Sequence, residues 1–270
     1  MALQTGALQN EIEPIWRAIC DEAQQASLAE PVLASFHHAA ILNHRSFAAA
    51  ISFHLANKLE SQALPAMLIR QVFEEAMSAE PALVNAMRSD ICAYRERDPA
   101  CDKYSLPFLY YKGYHALQAH RVSHWLWTRG RRGLALFLQN QISQAFGVDI
   151  HPGARIGCGI MIDHATGVVV GETAVIEDNV SLLHAVTLGG TGCESGDRHP
   201  KIRAGVLISA GAKILGNIEI GAGAKVGAGS VVLDAVPPHM TVAGVPAKIV
   251  GRPSAAQPAL DMDHRLGDST

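Results

Sequence analysis

From Ile150 onward an aliphatic residue returns at every sixth position. The series runs Ile150, Ile156, Ile162, Val168, Ala174, Val180, Val186 and, after an interruption, Ile202, Ile208, Ile214, Ile220, Val226, Val232. Twelve of these thirteen residues are Val or Ile. A period of six fits neither the 3.6 residues of a helical turn nor the alternation of a flat strand. It fits a parallel solenoid of hexapeptide repeats, in which each hexad supplies a short strand and a turn. Three hexads close one triangular coil, and the repeated aliphatics stack along its axis. Each buried Val or Ile contributes about 1.5–3 kcal/mol, and small residues between them permit tight corners. Between Val186 and Ile202 the register moves by sixteen residues, four more than two hexads. The segment "TLGGTGCESGDRHPK" therefore holds a loop that leaves the coil, and loops on rigid scaffolds commonly carry function.

Residues 1–147 have a different grammar. They are rich in Ala, Leu, Gln, Glu and Arg, with apolar residues spaced by three or four in "PVLASFHHAAILNHRSFAAAISFHLANKL" and "LPAMLIRQVFEEAMS". That pattern predicts helices. Pro31, Pro65, Pro81, Pro99 and Pro107 punctuate them near expected helix starts, and Tyr114–Phe146 reads as two helices broken near Gly130. The expected organisation is α+β. An all-α domain (1–147) precedes a parallel β-helix (148–253), and a Ser-, Ala-, Pro- and Asp-containing tail (254–270) reads as flexible.

With 270 residues, 49% of them hydrophobic, the chain can bury a sizeable core. A formal net charge of −3 and no basic stripe argue against a nucleic-acid surface. No apolar run approaches the roughly 18 residues of a membrane helix, and no secretory signal is visible. The five cysteines (Cys20, Cys92, Cys101, Cys158, Cys193) form no CxxC, as expected of reduced thiols in a cytoplasmic protein. His120 and His124 share a helix face at i, i+4, but the residue between that could serve a zinc hydrolase is Arg121, so packing is the expected role. His37, His38, His44 and His54 read the same way, and "HWLW" (His124–Trp127) as a buried or interface aromatic cluster. No metal is expected.

The most informative stretches are "DIHPGARIGCGIMIDHATGVVVGETAVIEDNVSLLHAVTLGGTG", "GDRHPKI", "GAKILGNIEIGAGAKVGAGSVVL" and "VPPHMTVAGVPAKIVG", with "RERDPACDKYSLPFLYYKGYHALQAHRVSHWLW" upstream. Together they closely resemble the serine O-acetyltransferase family over nearly the whole chain, to about residue 253. The resemblance implies a left-handed coil, an exception to the usual crossover rule. It implies trimers pairing through their helical domains into hexamers, and acetyl transfer from acetyl-CoA to L-serine in cysteine biosynthesis.

That reaction needs a general base, because a serine hydroxyl is a poor nucleophile at neutral pH. Histidine suits the task, and His164 is the candidate. Asp163 is not expected to orient it, since neighbours on a strand point to opposite faces. Asp149, fifteen residues earlier and near one coil away, matches the family's catalytic carboxylate. The resemblance places Asp98 and Asp163 toward the substrate's ammonium, and Arg198 and His199 toward its carboxylate, with His199 also able to support an oxyanion. Acetyl-CoA would run between subunits along Gly190, Ala210 and Ala228, with Lys225 near its phosphates. L-Cysteine shares the ammonium and carboxylate and is expected to inhibit. Members of the family often bind O-acetylserine sulfhydrylase through a C-terminal peptide that then normally ends in Ile. This sequence ends at Thr270, so the expectation is a truncated chain or weak or absent binding. A sugar or drug acyltransferase, a hexapeptide carbonic anhydrase using His151, His164, His184 and His199, an acyl-enzyme route through Cys158 or Cys193, and a non-catalytic scaffold are the weaker alternatives.

Overall fold

The computed structural model of the protein describes residues 5–192 and 195–266, with side chains from residue 14 onward. The helices come first: α1 (Thr5–Ala29), α2 (Ala34–His37, between a 3₁₀ turn at Pro31–Leu33 and a π turn at His38–Leu42), α3 (Phe47–Leu59), α4 (Ala66–Ala79), α5 (Ala82–Arg97), α6 (Ser105–Tyr110), α7 (Lys112–Thr128) and α8 (Arg132–Phe146). Their ends follow local chemistry. The Ser46 hydroxyl caps α3 by accepting from the Ala49 amide. Pro65 and Pro81 occupy the N-caps of α4 and α5. Gly147 closes α8 in a left-handed conformation (φ 66°) that a side chain would resist. Pro99 instead follows the end of α5, and Pro107 lies in the first turn of α6.

Strands begin at the next residue: β1 (Val148–Ile150), β2 (Arg155–Ile156), β3 (Met161–Ile162), β4 (Val168–Val170), β5 (Val175–Ile176), β6 (Ser181–Leu182), β7 (Thr187–Gly189), β8 (Lys201–Ile202), β9 (Leu207–Ile208), β10 (Lys213–Leu215), β11 (Glu219–Ile220), β12 (Lys225–Val226) and β13 (Val231–Val232). They form the three faces of a parallel β-solenoid of about five turns. Face one stacks β1-β4-β7-β10-β13 and face two stacks β2-β5-β8-β11. Face three stacks β3-β6-β9-β12, extended by β14 (Thr241–Gly244) and its antiparallel partner β15 (Ala247–Gly251).

The stacking register refines the six-residue pattern. Ile150 pairs with Val170, Ile156 with Ile176 and Ile162 with Leu182, twenty positions on in each case. Farther along, Lys213 pairs with Val231, eighteen positions on. The first coil thus carries two extra residues, and they fall at Asp163–Gly167. Val168, Ala174, Val180 and Val186 form a second buried column, while Val170, Ile176, Leu182 and Leu188 continue the stack begun by Ile150, Ile156 and Ile162. The coil with the loop spans twenty-six residues, Thr187 to Lys213, so the loop adds eight rather than four.

The two halves share one hydrophobic core. The clamp between them is polar. Asp90 of α5, fully buried, accepts from the Ile160 amide (2.9 Å), from Gln118 Nε2 (3.0 Å) and from Arg121 Nη2 (2.7 Å). Arg121, in turn, donates to the carbonyls of Ile156 and Gly157. The tail expected to be flexible is seated on the coil as far as residue 266. A short helix α9 (Pro258–Asp261) buries Pro258 and Ala259, and the Ser181 hydroxyl donates to the Ala259 carbonyl at 2.8 Å. The apolar side of α9 has a surface of α5 and β9 to cover, which composition alone does not reveal. Among the described residues no helix is long and apolar enough to cross a membrane.

Candidate active site

The two residues inserted into the first coil make a corner between faces three and one. His164 and Ala165 there adopt left-handed φ angles of 54° and 59°. Such a conformation costs a non-glycine residue about 1–2 kcal/mol, and strained residues concentrate at functional sites. The His164 side chain is 77% exposed, with Nε2 3.8 Å from Asp163 Oδ2. Because this is a turn and not a strand, the alternation that would separate Asp163 from His164 does not operate. Asp149 lies on the outward side of β1, opposite Val169, and accepts from Gln139 Nε2 at 2.7 Å.

A cavity of about 440 Å³ opens beside His164, lined by Tyr94, Asp98, Ala100, Tyr110, Tyr111, Lys112, Gly113, Ile162 and Asp163. Helix α5 builds one wall. Asp90, Tyr94 and Asp98 recur at intervals of four and so share a face. Asp90 grips the first coil. The Tyr94 hydroxyl donates to the Ile162 carbonyl (2.8 Å) and accepts the Ile162 amide (3.0 Å), completing the edge of β3 next to Asp163. Asp98, at the C-terminal end of α5 rather than at a helix start, accepts the Ala100 amide at 2.9 Å. Its predecessor Arg97 is buried and reaches Ser181 and Asn179 on the coil. Tyr111 faces Cys101, Asp98 and Asp163; burial first, then Cys101 and these carboxylates, push its phenol up. Lys112, at the start of α7, donates to the Thr166 hydroxyl.

Gly113 fixes how closely α7 approaches. A Cβ there would stand 2.0 Å from the Ile162 carbonyl oxygen, which Tyr94 already holds. Gly113→Ala is expected to lower stability by about 1–3 kcal/mol through overpacking. A thermal melt checks it; an unchanged melting temperature would mean that helix and coil part without cost.

The structure places Arg198 and His199 elsewhere, at the corner between faces one and two. Arg198 Nη2 bonds Glu172 Oε2 at 2.8 Å, holding the Glu172 carboxyl below its usual range. His199 is buried and contacts Thr173. Gly190 stands against the Arg198 backbone. Within one chain, then, Asp98, Asp163 and His164 come together, and Arg198 and His199 form a second group beyond face one. Ala210 and Ala228 occupy the positions stacked above His164 and His184 in the third-face register, as the pairing Met161–Ser181–Leu207–Lys225 shows. Lys225 donates to the Arg265 carbonyl, and His264 meets Ser209 at 3.2 Å, so the tail stands over the upper end of that column. His120 is buried, and His124 Nδ1 meets the Pro152 carbonyl at 2.7 Å. Cys193 and Thr270 lie outside the described residues.

Sequence reading did not single out Tyr94, Asp90 with Arg121, Gly113, Lys112 or Thr173. The four-residue spacing Asp90–Tyr94–Asp98 was the available signal. The others depend on contacts between the two halves.

A helical N-terminal half on a hexapeptide solenoid, with an acid- and histidine-bearing corner, defines an acyltransferase of the hexapeptide class. Residues 15–119 match the family model "Serine acetyltransferase, N-terminal", and 199–234 match "Bacterial transferase hexapeptide (six repeats)". The serine acetyltransferase of Salmonella typhimurium is 63% identical over 95% of this chain and 94% of its own. A solved serine acetyltransferase in complex with cysteine superposes with TM-score 0.92 at 56% identity, covering 93% of this chain and 98% of its own. The Brucella abortus serine acetyltransferase in complex with coenzyme A gives 0.89 at 52%, covering 90% and 98%. This chain belongs to the serine acetyltransferase family and is an acyltransferase.

Proposed function

We propose that the chain transfers acetyl from acetyl-CoA to the hydroxyl of L-serine, with His164 as general base. One observation carries the reading: an exposed, strained histidine stands at the mouth of a cavity that also presents Asp98 and Asp163. Two carboxylates suit an α-ammonium group, and the imidazole suits the neighbouring hydroxyl. His164 Nε2 accepts the hydroxyl proton as the serine oxygen attacks the thioester carbonyl. The tetrahedral intermediate collapses with cleavage of the C–S bond, and the imidazolium returns the proton to the CoA thiolate. Asp149 is the expected orienting carboxylate, and Arg198 with His199 the partners of the substrate carboxylate and oxyanion.

Arg198 and His199 lie across face one from His164, and its strands span roughly 10 Å, more than a serine molecule bridges. A homotrimer, in which the loop corner of one subunit faces the His164 corner of the next, brings them together. Acetyl-CoA would follow the Ala210–Ala228 column and compete with the tail for Lys225. The relative solved in complex with cysteine supports the expectation that this chain also binds L-cysteine.

The test is thiol release from acetyl-CoA with L-serine as acceptor. Expected are serine-dependent turnover, a rise in the apparent KM for serine with added L-cysteine, and activity recovered when inactive His164→Ala and Arg198→Ala chains are assembled into mixed oligomers. Turnover only with a different acceptor would overturn the serine assignment. Failure of the mixed oligomers to recover activity would overturn the shared site.

A further inference from the structure

We infer that Thr173 is a positioning residue that locks His199 as the tautomer with its proton on Nε2, which makes His199 a neutral hydrogen-bond donor and leaves base chemistry to His164. The inference rests on the acyl-transfer reading above. Its warrant is geometric. The Thr173 amide lies 3.2 Å from His199 Nδ1, placed to donate. An amide N–H only donates, so Nδ1 must accept and carries no proton. The Thr173 hydroxyl oxygen stands 2.9 Å from the same nitrogen. That oxygen already accepts the amides of Arg198 (3.0 Å) and His199 (3.1 Å), so it meets Nδ1 only as a donor, its one proton serving Nδ1 and the neighbouring Asp197 carboxylate, and the amide is what fixes Nδ1 as an acceptor. A neutral imidazole has one donor and one acceptor nitrogen, and the remaining donor is Nε2–H.

The ring cannot easily turn over. A Cβ on Gly171 would stand 2.0 Å from both His199 Cδ2 and Nε2, so the imidazole lies flat on the bare Gly171 backbone. That backbone is tied into the coil by Gly171 N–H to Leu188 (3.0 Å) and Ala174 N–H to Gly171 (3.1 Å). The Thr173 carbonyl is held by Lys201 Nζ at 3.0 Å. The charged and titratable groups facing the ring are Arg198, Glu172, Lys201 and His151. Burial first, then Arg198, lowers the His199 pKa, while Glu172 opposes them. A proton on Nδ1 would also set N–H against N–H.

The consequence is a division of labour between two histidines. A doubly protonated His199 would donate from Nε2 as well, but its Nδ1 would lose its two partners. With Nδ1 filled by Thr173, Nε2–H is preset toward the substrate carboxylate or the developing oxyanion, without reorganisation during the reaction. Placing the lock two residues after Gly171 lets one corner supply both the flat floor and the tautomer control.

The experiment uses the full-length protein labelled with ¹⁵N-histidine. Long-range ¹H–¹⁵N spectra at pH 7 report the protonated nitrogen, and the His199 signal is assigned by its loss in His199→Gln. Expected is a protonated Nε2 and a bare Nδ1. Thr173→Val, which keeps the shape but removes the hydroxyl, should lower kcat/KM for serine by ~10-fold or more, leave the KM for acetyl-CoA within ~2-fold, and perturb the His199 signal; Thr173→Ser should restore kcat/KM to within ~3-fold. A wild-type His199 protonated on Nδ1, a Thr173→Val protein indistinguishable from wild type, or a Thr173→Ser protein as impaired as Thr173→Val would each overturn the inference. If the tautomer is as expected but no variant, wild type included, shows serine-dependent turnover, the lock stands and the serine reading fails.

Discussion

Replacing His164 by Asn or Ala is expected to lower serine-dependent kcat by ~10²–10⁴-fold, the range that a positioned acid–base group supplies, while the protein stays folded. The second half follows from exposure: the side chain is 77% accessible, so little packing is lost. It follows also from the backbone. With φ 54°, His164 holds a conformation that Asn tolerates better than other non-glycine residues. The Asn variant should therefore melt at or above the wild-type temperature. Opposite signs on activity and stability are what a strained functional residue produces. Thiol release and a melting curve on the same preparations decide it. A folded variant retaining more than a tenth of wild-type turnover would mean that another group takes the proton.

The solenoid was legible because its signal is repetitive. One aliphatic every six residues leaves few alternatives, and a buried column tolerates little else. The same repetition concealed the two-residue slip at Asp163–Gly167. A second buried column runs two positions out of step with the first, so Val168, Ala174, Val180 and Val186 satisfy the pattern while the main stack has moved to Val170, Ile176, Leu182 and Leu188. The corner carrying His164 is where the period breaks, which a period count cannot see when both columns are aliphatic. Asp163 and His164 stood out as a titratable pair in an apolar stretch, Asp98 came only from the family resemblance, and the structure lines one cavity with all three. Arg198 and His199 were visible in the loop, but their distance from His164 within a chain was not, because it depends on which corner the loop leaves. Thr173 and Gly171 read as ordinary repeat residues. Their roles exist only once the loop has folded back on them.

The largest stability effect is expected at Asp90. Its carboxylate is fully buried, accepts from Ile160, Gln118 and Arg121, and so joins α5, α7 and the first coil in one network. Asp90→Ala leaves Arg121, itself only 6% exposed, as a buried cation without its partner. Breaking such a pair from one side costs about 3–5 kcal/mol, a large part of the 5–15 kcal/mol typical of a folded domain. At about 2–4 °C per kcal/mol, the melting temperature should fall by roughly 10 °C. The double variant Asp90→Ala with Arg121→Met removes the stranded charge. It should recover only part of the loss, because the carbonyls of Ile156 and Gly157 lose their donor as well. The damage should also reach the site. Asp98 is two turns farther along the same face of α5, and its distance from Asp163 depends on how that helix is fastened to β3. Below the melting transition, Asp90→Ala should raise the KM for serine more than the KM for acetyl-CoA, whose proposed column lies higher on the coil. If both constants and the melt matched wild type, Asp90 would be a passenger, and Tyr94 alone would be holding the helix to the strand.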